Sequence, residues 1–192
     1  MSLARALQPI TEDDYLRVED SAAVKHEFVA GGVHAMAGAS ERHNRIAGNV
    51  FFHLRAATRG RACRAFMADM KLRVDDGPAF YYPDAMLVCD PADDHPTYKR
   101  APCLIAEVLS PATAAIDLRE KWAAYRKLPS LRYYLLADSE RLWARACWRD
   151  AQGAWFEREL DPGDALDVDC EGTRIRLTLD DLYEDSGLLP PL

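Results

Sequence analysis

The chain has 192 residues, of which 49% are hydrophobic and 29% are charged, and this composition suits a globular domain with a sizeable core. It excludes a fibrous protein and an intrinsically disordered one. The net charge of −7 argues against a protein that coats nucleic acid non-specifically, because such binding neutralises many phosphates with Lys and Arg. No window contains the roughly 18 uncharged apolar residues of a membrane helix, so we expect a cytoplasmic protein without membrane contact.

The five cysteines are scattered, and none forms a C-x-x-C pair or has histidines at zinc spacing. Two of them, Cys89 and Cys103, lie in apolar, strand-like runs, where reduced cysteine commonly packs as a small hydrophobic residue. We therefore expect reduced, buried cysteines and no cysteine metal site.

The basic residues are unevenly distributed. Six arginines lie in one segment, so the local field there can be positive, while the acidic tail from Asp161 to Asp185 sets the total charge. A solvated helix face explains any single one of these arginines equally well. The six are Arg42, Arg45, Arg55, Arg59, Arg61 and Arg64.

The N-terminal third predicts a short helix, a hairpin and a longer helix. Thr11 is followed by three acidic residues, which is the pattern of a helix with a hydroxyl cap and acids in its first turn. Residues 24 to 36 alternate between apolar and polar around paired glycines, which favours a hairpin with Glu27 on a strand. Ser40 caps the next helix, which ends near Gly60.

The middle of the chain predicts strands and one helix, in an order that implies a mixed sheet with helices on its faces. Strands over 64 to 74 and 80 to 89 flank a turn, and residues 103 to 109 form a nearly continuous apolar strand. A helix over 116 to 128 and a buried strand over 131 to 137 follow.

The C-terminal part changes to an antiparallel pattern. Strands over 142 to 149 and 154 to 160 flank a hairpin turn, 173 to 178 is a further strand, and a short capped helix follows. The whole pattern predicts an α/β (α+β) fold: a mixed sheet flanked by helices, with an N-terminal hairpin and C-terminal antiparallel strands. We expect a single domain over residues 1–192, with its core at about 40–137.

Three separated signals point to a metal-dependent hydrolase. Asp84 opens one predicted strand and Glu107 lies near the end of the next, so their carboxylates meet if these strands are antiparallel neighbours. Two acids and a backbone carbonyl such as that of Val108 suffice for Mg²⁺, which keeps several waters. Lys121 would steady a phosphate under attack. We expect the two carboxyl groups to lie about 4 to 6 Å apart, within reach of one cation.

The motifs occur in an order that resembles the PD-(D/E)XK nuclease superfamily and, within it, the Uma-type restriction endonucleases. A single Pro-Asp is common, whereas its combination with Glu-Val-Leu-Ser-Pro is specific, and the likeness covers nearly the whole chain. The resemblance implies a restriction-endonuclease-like fold, a divalent metal (Mg²⁺ or Mn²⁺) and hydrolysis of phosphodiester bonds, with DNA as the substrate. The matching segments are Pro83-Asp84, Glu107-Val108-Leu109-Ser110-Pro111, Asp117-Leu118-Arg119-Glu120-Lys121 and Tyr133-Tyr134-Leu135.

One position departs from this resemblance, because the superfamily motif has lysine two residues after the glutamate, where this chain has Leu109. Lys121 on the following helix looks like the replacement, since a helix can aim an ammonium back at the strand ends. The alternative is an ordinary ion pair with Asp117, worth only about 0.3 kcal/mol. Asp84 as a turn residue and Glu107 as the buried partner of an arginine are the corresponding alternatives.

Four further residues are candidates for the same cleft. Glu27 resembles the acidic position that precedes the core in this branch, and it is a candidate third carboxylate for the metal. His43 can approach the site from its helix, and Tyr125 lies one turn after Lys121. Asp69 is a weaker candidate because, like Lys71, it is an ordinary residue on the polar face of a strand. Each has an ordinary alternative as a surface or core residue.

Two functions follow from these residues. The first is a Mg²⁺-dependent endonuclease acting on DNA, and the second is a catalytically weak or inactive nucleic-acid-binding or dimeric interaction protein of the same fold. The carboxylate pair favours the first, because binding alone does not need two acids in a phosphate-facing cleft. Trp143, Trp148 and Trp155 on the C-terminal strands suit either a core or a homodimer interface.

Overall fold

The computed structural model describes residues 10–111 and 113–189, which form three sheets flanked by helices. Within these residues, none of the helices is long and apolar enough to cross a membrane. The helical elements are α1 (Glu12–Glu19), α2 (Glu41–Ala57), α3 (Ala114–Ile116), a π-helical turn (Asp117–Lys121), α4 (Trp122–Tyr125) and α5 (Leu179–Tyr183). The strands are β1 (His26–Val29), β2 (Gly32–Ala35), β3 (Arg64–Met67), β4 (Lys71–Val74), β5 (Ala79–Tyr81), β6 (Ala85–Val88), β7 (Tyr98–Lys99), β8 (Pro102–Leu109), β9 (Tyr133–Asp138), β10 (Ala144–Arg149), β11 (Trp155–Leu160), β12 (Ala165–Cys170) and β13 (Thr173–Thr178).

The N-terminal elements follow the predicted pattern. The Thr11 side chain accepts a hydrogen bond from the Asp14 N–H and so caps α1. Ser40 caps α2 in the same way through the His43 N–H. β1 and β2 pair as the predicted hairpin, and Glu27 lies on β1. These elements are predictable because caps and turns depend on a few neighbouring residues.

The two long middle strands are each broken in two, so the prediction of continuous strands over 64 to 74 and 80 to 89 is wrong. β3 and β6 pair in a six-stranded sheet of order β11-β10-β9-β8-β6-β3, whereas β4 and β5 pair in a five-stranded sheet of order β2-β1-β5-β4-β7. Pro83 has no N–H for a ladder, and the Met70 N–H turns back to the Met67 carbonyl at 3.0 Å. The chain therefore passes between the two sheets at both breaks.

β8 is a central strand of the six-stranded sheet and is buried along its whole length, as its apolar sequence predicts. It pairs antiparallel with β6 and parallel with β9, and apolar clusters cover both of its faces. Ile46 and Leu54 of α2 belong to one cluster, and Tyr125 and Leu131 belong to the other. The predicted helix over 116 to 128 is present but irregular, because it contains the π-helical turn and α4 ends at Tyr125.

The C-terminal strands are confirmed, with one omission. β10 and β11 form the predicted hairpin, but β13 pairs with β12, a strand that the sequence pattern does not predict. Asp167 and Asp169 explain the omission, because aspartate is depleted in strands. Across the hairpin Arg176 pairs with Asp167 and Arg174 pairs with Asp169, and these ion pairs offset the aspartate charges. Thr178 caps α5 with a capping box, as predicted.

Four of the five cysteines are paired, which corrects the expectation of reduced thiols. Cys63 is bonded to Cys89 at the ends of β3 and β6, and Cys103 of β8 is bonded to Cys170 at the end of β12. Cys147 is free and buried. The bonded cysteines are 26 and 67 residues apart in sequence, so no local spacing pattern indicates the pairs.

Candidate active site

The candidate site lies where the chain crosses from the five-stranded to the six-stranded sheet. Ala85 pairs with Ala106 in the antiparallel ladder of β6 and β8. Asp84, one residue before β6, therefore stands opposite Glu107. The Asp84 Oδ2 atom accepts a hydrogen bond from the Val108 N–H at 2.7 Å. The start of one strand thus meets the end of the next, as the sequence pattern predicts.

Glu107 is 2% exposed, and residues of the following helix hold its side chain. The Tyr125 hydroxyl donates to Glu107 Oε1 at 2.9 Å, and Lys121 Nζ lies 3.4 Å from the same oxygen. Burial raises the pKa of Glu107 well above its ordinary value, Lys121 opposes the rise, and neighbouring carboxylates add to it. Burial and the Glu107 carboxylate also raise the pKa of Tyr125, so its hydroxyl stays protonated and donates.

The Lys121 ammonium lies among three carboxylates, and only 8% of its side chain is exposed. Its Nζ is 3.0 Å from Glu27 Oε1, 3.4 Å from Glu107 Oε1 and 3.1 Å from Asp117 Oδ1. The Asp117 contact is an ion pair outside hydrogen-bond geometry, since Oδ1 accepts no hydrogen bond from the described residues. Burial opposes the charge of Lys121, but the carboxylates outweigh it and raise the lysine pKa well above its ordinary value.

The N-terminal hairpin brings Glu27 to this cluster. β1 pairs with β5, and Glu27 Oε1 accepts a hydrogen bond from the Tyr82 N–H at 3.3 Å, just beyond the end of β5. The neighbouring Tyr81 ring lies 5.9 Å from Lys121 Nζ, close enough for a cation–π contact. The hairpin carboxylate and the helix lysine therefore meet at the break between the sheets.

His43 approaches Asp84 from α2. Its Nε2 atom lies 3.4 Å from Asp84 Oδ2. Its Nδ1 atom is buried and has no hydrogen-bond partner among the described residues. Burial lowers the pKa of His43, but the hydrogen bond and charge of Asp84 outweigh burial, so the net shift of this pKa is upward. The imidazolium of His43 therefore forms more readily beside the Asp84 carboxylate than on a free histidine.

All but one of the candidate residues come together here. Asp69 lies apart, because its carboxylate pairs with Lys25 and 85% of its side chain is exposed. Asp117, which the sequence pattern treats only as an ion-pair partner of Lys121, belongs to the cluster; its spacing of four residues on the helix is the available signal. The residues that converge are Glu27, His43, Asp84, Glu107, Val108, Lys121 and Tyr125. Their catalytic roles stay predictions.

The donor atoms of the site suit a hard divalent cation. Asp84 Oδ1 and Glu107 Oε2 accept no hydrogen bond from the residues that the structure describes, and carboxylate oxygens are preferred ligands of Mg²⁺. Across residues 10–111 and 113–189, no group of three or more His, Cys, Asp or Glu side chains is arranged as a metal site. A Mg²⁺ site with two protein carboxylates and several waters fits both observations.

A solved structure shares this architecture. The crystal structure of a protein from Anabaena variabilis, described as "a putative nuclease belonging to DUF820", matches with a TM-score of 0.74 and 18% sequence identity. The match covers 94% of this chain and 100% of that chain. The mixed sheets and their flanking helices therefore form a restriction-endonuclease-like fold, as predicted.

The chain belongs to the Uma2 family, described as "Putative restriction endonuclease", whose pattern matches residues 12–180. Two relatives of Synechocystis sp. are described as uncharacterized proteins. One, sll1609, is 34% identical over 141 residues, which cover 72% of this chain and 80% of that protein. The other, slr1290, is 29% identical over 164 residues, which cover 85% of this chain and 86% of that protein. The resemblance in the sequence motifs is confirmed, and the family supports a nuclease.

Proposed function

We propose that this protein is a Mg²⁺-dependent endonuclease that hydrolyses phosphodiester bonds of DNA. The family supports a nuclease, and one observation supports the catalytic site: four acidic side chains and a lysine from separate parts of the chain converge where β6 meets β8. Carboxylates gathered in this way repel one another, and stability alone does not need them. A divalent cation and a phosphate are the ligands that suit such a group.

The contacts of Asp84 and Glu107 support a role in holding the cation. Asp84 and Glu107 would hold the cation through their free oxygens, with the Val108 carbonyl as a further ligand, while Glu27 would pair with Lys121 beside it. When bound, Mg²⁺ supplies a Lewis acid that stabilises the negative charge developing on the phosphate. Tyr125 orients Glu107 through its hydrogen bond.

Lys121 would act on the phosphate. Its raised pKa keeps the ammonium charged at neutral pH, and three contacts hold it beside the carboxylates. A cation held by Glu107 would compete with Lys121 for this carboxylate, and the lysine would then be able to donate to a phosphate oxygen. His43 would keep Asp84 oriented from the α2 side.

A catalytically weak nucleic-acid-binding protein of the same fold is the second candidate, and Leu109 is the observation that favours it. Leu109 is buried in an apolar cluster at the position where the superfamily motif has lysine. Lys121 already has three carboxylate partners, which compete with a phosphate for its charge. Such a protein would bind a cation at Asp84 and Glu107 but cleave slowly or not at all.

Cleavage assays with plasmid and oligonucleotide DNA in Mg²⁺, Mn²⁺ or EDTA test the proposal. We expect metal-dependent cleavage by the wild type and a loss of about 100-fold or more in Asp84→Asn and Glu107→Gln. Glu159→Gln, which changes an exposed acid on β11, is the matched control and should cleave like the wild type. Metal binding without cleavage would favour the second candidate, and full activity of both site variants would refute the site. RNA substrates in the same assay test the choice of DNA.

The homodimer and the cytoplasmic location stay predictions. Trp143 and Trp155 are partly buried against an apolar cluster, whereas Trp148 stacks on Phe156, which is 48% exposed on β11. β11 is an edge strand of the six-stranded sheet, so this is the surface at which we expect two copies to meet. Light scattering of wild type and Phe156→Ser would measure the association.

A further inference from the structure

Lys71 is a buried lysine with no acidic partner among the described residues. It is 5% exposed, yet no oxygen atom of the described residues forms a hydrogen bond or ion pair with its ammonium. Its ammonium lies near the Tyr82 ring, with Nζ 5.6 Å from the ring centroid. The other four lysines all contact oxygens: Lys25 those of Asp69 and Ala68, Lys99 those of Asp93 and His95, Lys121 its three carboxylates, and Lys127 that of Asp76.

Two of these ammonium groups lie near the Tyr82 ring. Lys71 Nζ lies 5.6 Å and Lys25 Nζ lies 5.7 Å from the ring centroid. The Tyr82 hydroxyl donates to Glu19 Oε1 at 2.9 Å, so the acid in contact with this tyrosine is already bonded. A ring face attracts a cation but does not neutralise it. The charge of Lys71 therefore has no counterion within the described part of the chain, while that of Lys25 is matched by the exposed Asp69.

These two lysines adjoin the carboxylate site. The Tyr82 N–H donates to Glu27 Oε1, and Asp84 follows two residues later. The Ala68 carbonyl accepts from Lys25 Nζ, and the Ala68 N–H donates to the Asp84 carbonyl, each at 3.3 Å. A DNA strand with one phosphate at the carboxylates would therefore place a neighbouring phosphate near Lys25 and Lys71.

We infer that Lys71, with Lys25 beside it, forms a subsite for a backbone phosphate of DNA next to the phosphate that is cleaved. This subsite rests on the proposed function, whose substrate it helps to hold. A phosphate oxygen can accept a hydrogen bond from the Lys71 ammonium without displacing a protein partner. Lys121, by contrast, must give up a contact with one of its three carboxylates before it can bind a phosphate.

The arginine-rich segment is a weaker candidate for this contact. Arg42, Arg61 and Arg64 each donate to a backbone carbonyl, and Arg45 pairs with Glu41. An arginine engaged in this way has to break or share a contact to bind a phosphate. Arg55 and Arg59 make no such contact within the described residues, but both are exposed, so it is the buried position beside the carboxylate site that singles out Lys71.

Fluorescence anisotropy with a labelled duplex oligonucleotide in EDTA, over a range of NaCl concentrations, measures this contact without catalysis. We expect Lys71→Met to bind roughly tenfold more weakly at low salt and to reduce the slope of log K against log salt by about one. Lys71→Arg should restore both. Asp69→Asn, which releases Lys25, should bind more tightly than the wild type. Lys127→Met, which removes a lysine from an exposed ion pair, is the matched control and should keep the wild-type slope.

Inorganic pyrophosphate tests the anion subsite apart from nuclease activity. It should raise the melting temperature of the wild type and of Lys71→Arg, but not that of Lys71→Met; Lys71→Gln replaces the last variant if it does not fold. One outcome is that pyrophosphate stabilises the protein through Lys71 and yet the protein neither binds nor cleaves DNA. That result would refute the proposed nuclease function but support an anion site at Lys71. Equal DNA affinity and salt slope in wild type and Lys71→Met would overturn the subsite, even if the wild type cleaves DNA.

Discussion

Glu107 is a carboxyl group held where its charged form is costly. Burial raises its pKa although Lys121 opposes the rise, so this carboxyl group ionises less readily in the folded protein than in the unfolded chain. The resulting contribution to stability is present below the ordinary carboxyl pKa of about 4.3 and is lost as the pH rises through the raised folded-state pKa. A cation bound beside Glu107 offsets this loss, because it stabilises the ionised form.

Metal binding should therefore depend on pH. Mn²⁺ binds the ionised form of Glu107, so we expect its affinity to fall as the pH is lowered through the raised pKa of this residue. Titration calorimetry between pH 5.5 and 8 measures the effect, with Glu159→Gln as the control. In Glu107→Gln the binding should be at least tenfold weaker, and what remains should lose most of its pH dependence. A wild-type affinity that does not change with pH would contradict this account of Glu107.

The helix that follows β8 presents its lysine through an irregular turn. Asp117 and Lys121 begin and end the π-helical turn, and both are buried. A π-helical turn holds more residues than an α-helical turn, so it changes the direction in which later side chains point. The sequence predicts the helix and its apolar stripe, but its hydrophobic periodicity does not predict this turn. Lys121, at the end of this turn, extends its ammonium group to Glu107 on strand β8.

A lysine at position 109 of β8 would place an ammonium group near Glu107 from the strand itself. Glu107 and Leu109 are two residues apart on β8, so their side chains point to the same face. We expect Lys121→Met to lower metal-dependent cleavage by about 100-fold. Adding Leu109→Lys should recover at least about tenfold of that loss, as measured in the plasmid assay.

Leu109→Met in the Lys121→Met background is the matched control, because it changes the shape of the buried side chain without adding charge. Its cleavage should stay at the level of the single variant. Equal rates for the lysine and methionine versions would show that the strand position cannot replace the helix position.

A disulfide joins two of the three sheets, in addition to their packing. The Cys103–Cys170 disulfide joins β8 of the six-stranded sheet to the β12–β13 hairpin, and Cys63–Cys89 lies in the same apolar cluster. A cross-link over 67 residues restricts the unfolded chain, which typically stabilises a protein by about 2–4 kcal/mol. The C-terminal hairpin therefore depends on a bond that the local sequence does not indicate.

Thiol counting tests these bonds. Alkylation of the unfolded protein without reductant should modify only Cys147, and alkylation after reduction should modify all five cysteines. Urea unfolding should show a loss of about 2–4 kcal/mol on reduction or in Cys103→Ala. Cys147→Ala, which removes the free thiol, should keep the response to reductant. Five reactive thiols in the non-reduced protein would contradict the pairing.

The sequence by itself determines the elements whose causes are local. The caps at Thr11, Ser40 and Thr178 and the hairpins follow from residues within a few positions of one another. The continuous apolar run of β8 identifies a strand covered on both faces. The ordered motifs around Asp84 and Glu107 identify the family, because they require only residue types and spacing.

Only the tertiary structure decides which of these residues meet. Contacts between segments far apart in sequence make the chain cross between two sheets at Pro83 and bring three carboxylates around Lys121. Such contacts also bury Lys71 without an acidic partner among the described residues. Local periodicity shows that a residue is polar and on a strand or helix, but it carries no information about the partner. A buried charge takes its pKa and its energy from that partner, so these properties arise only once the chain is folded.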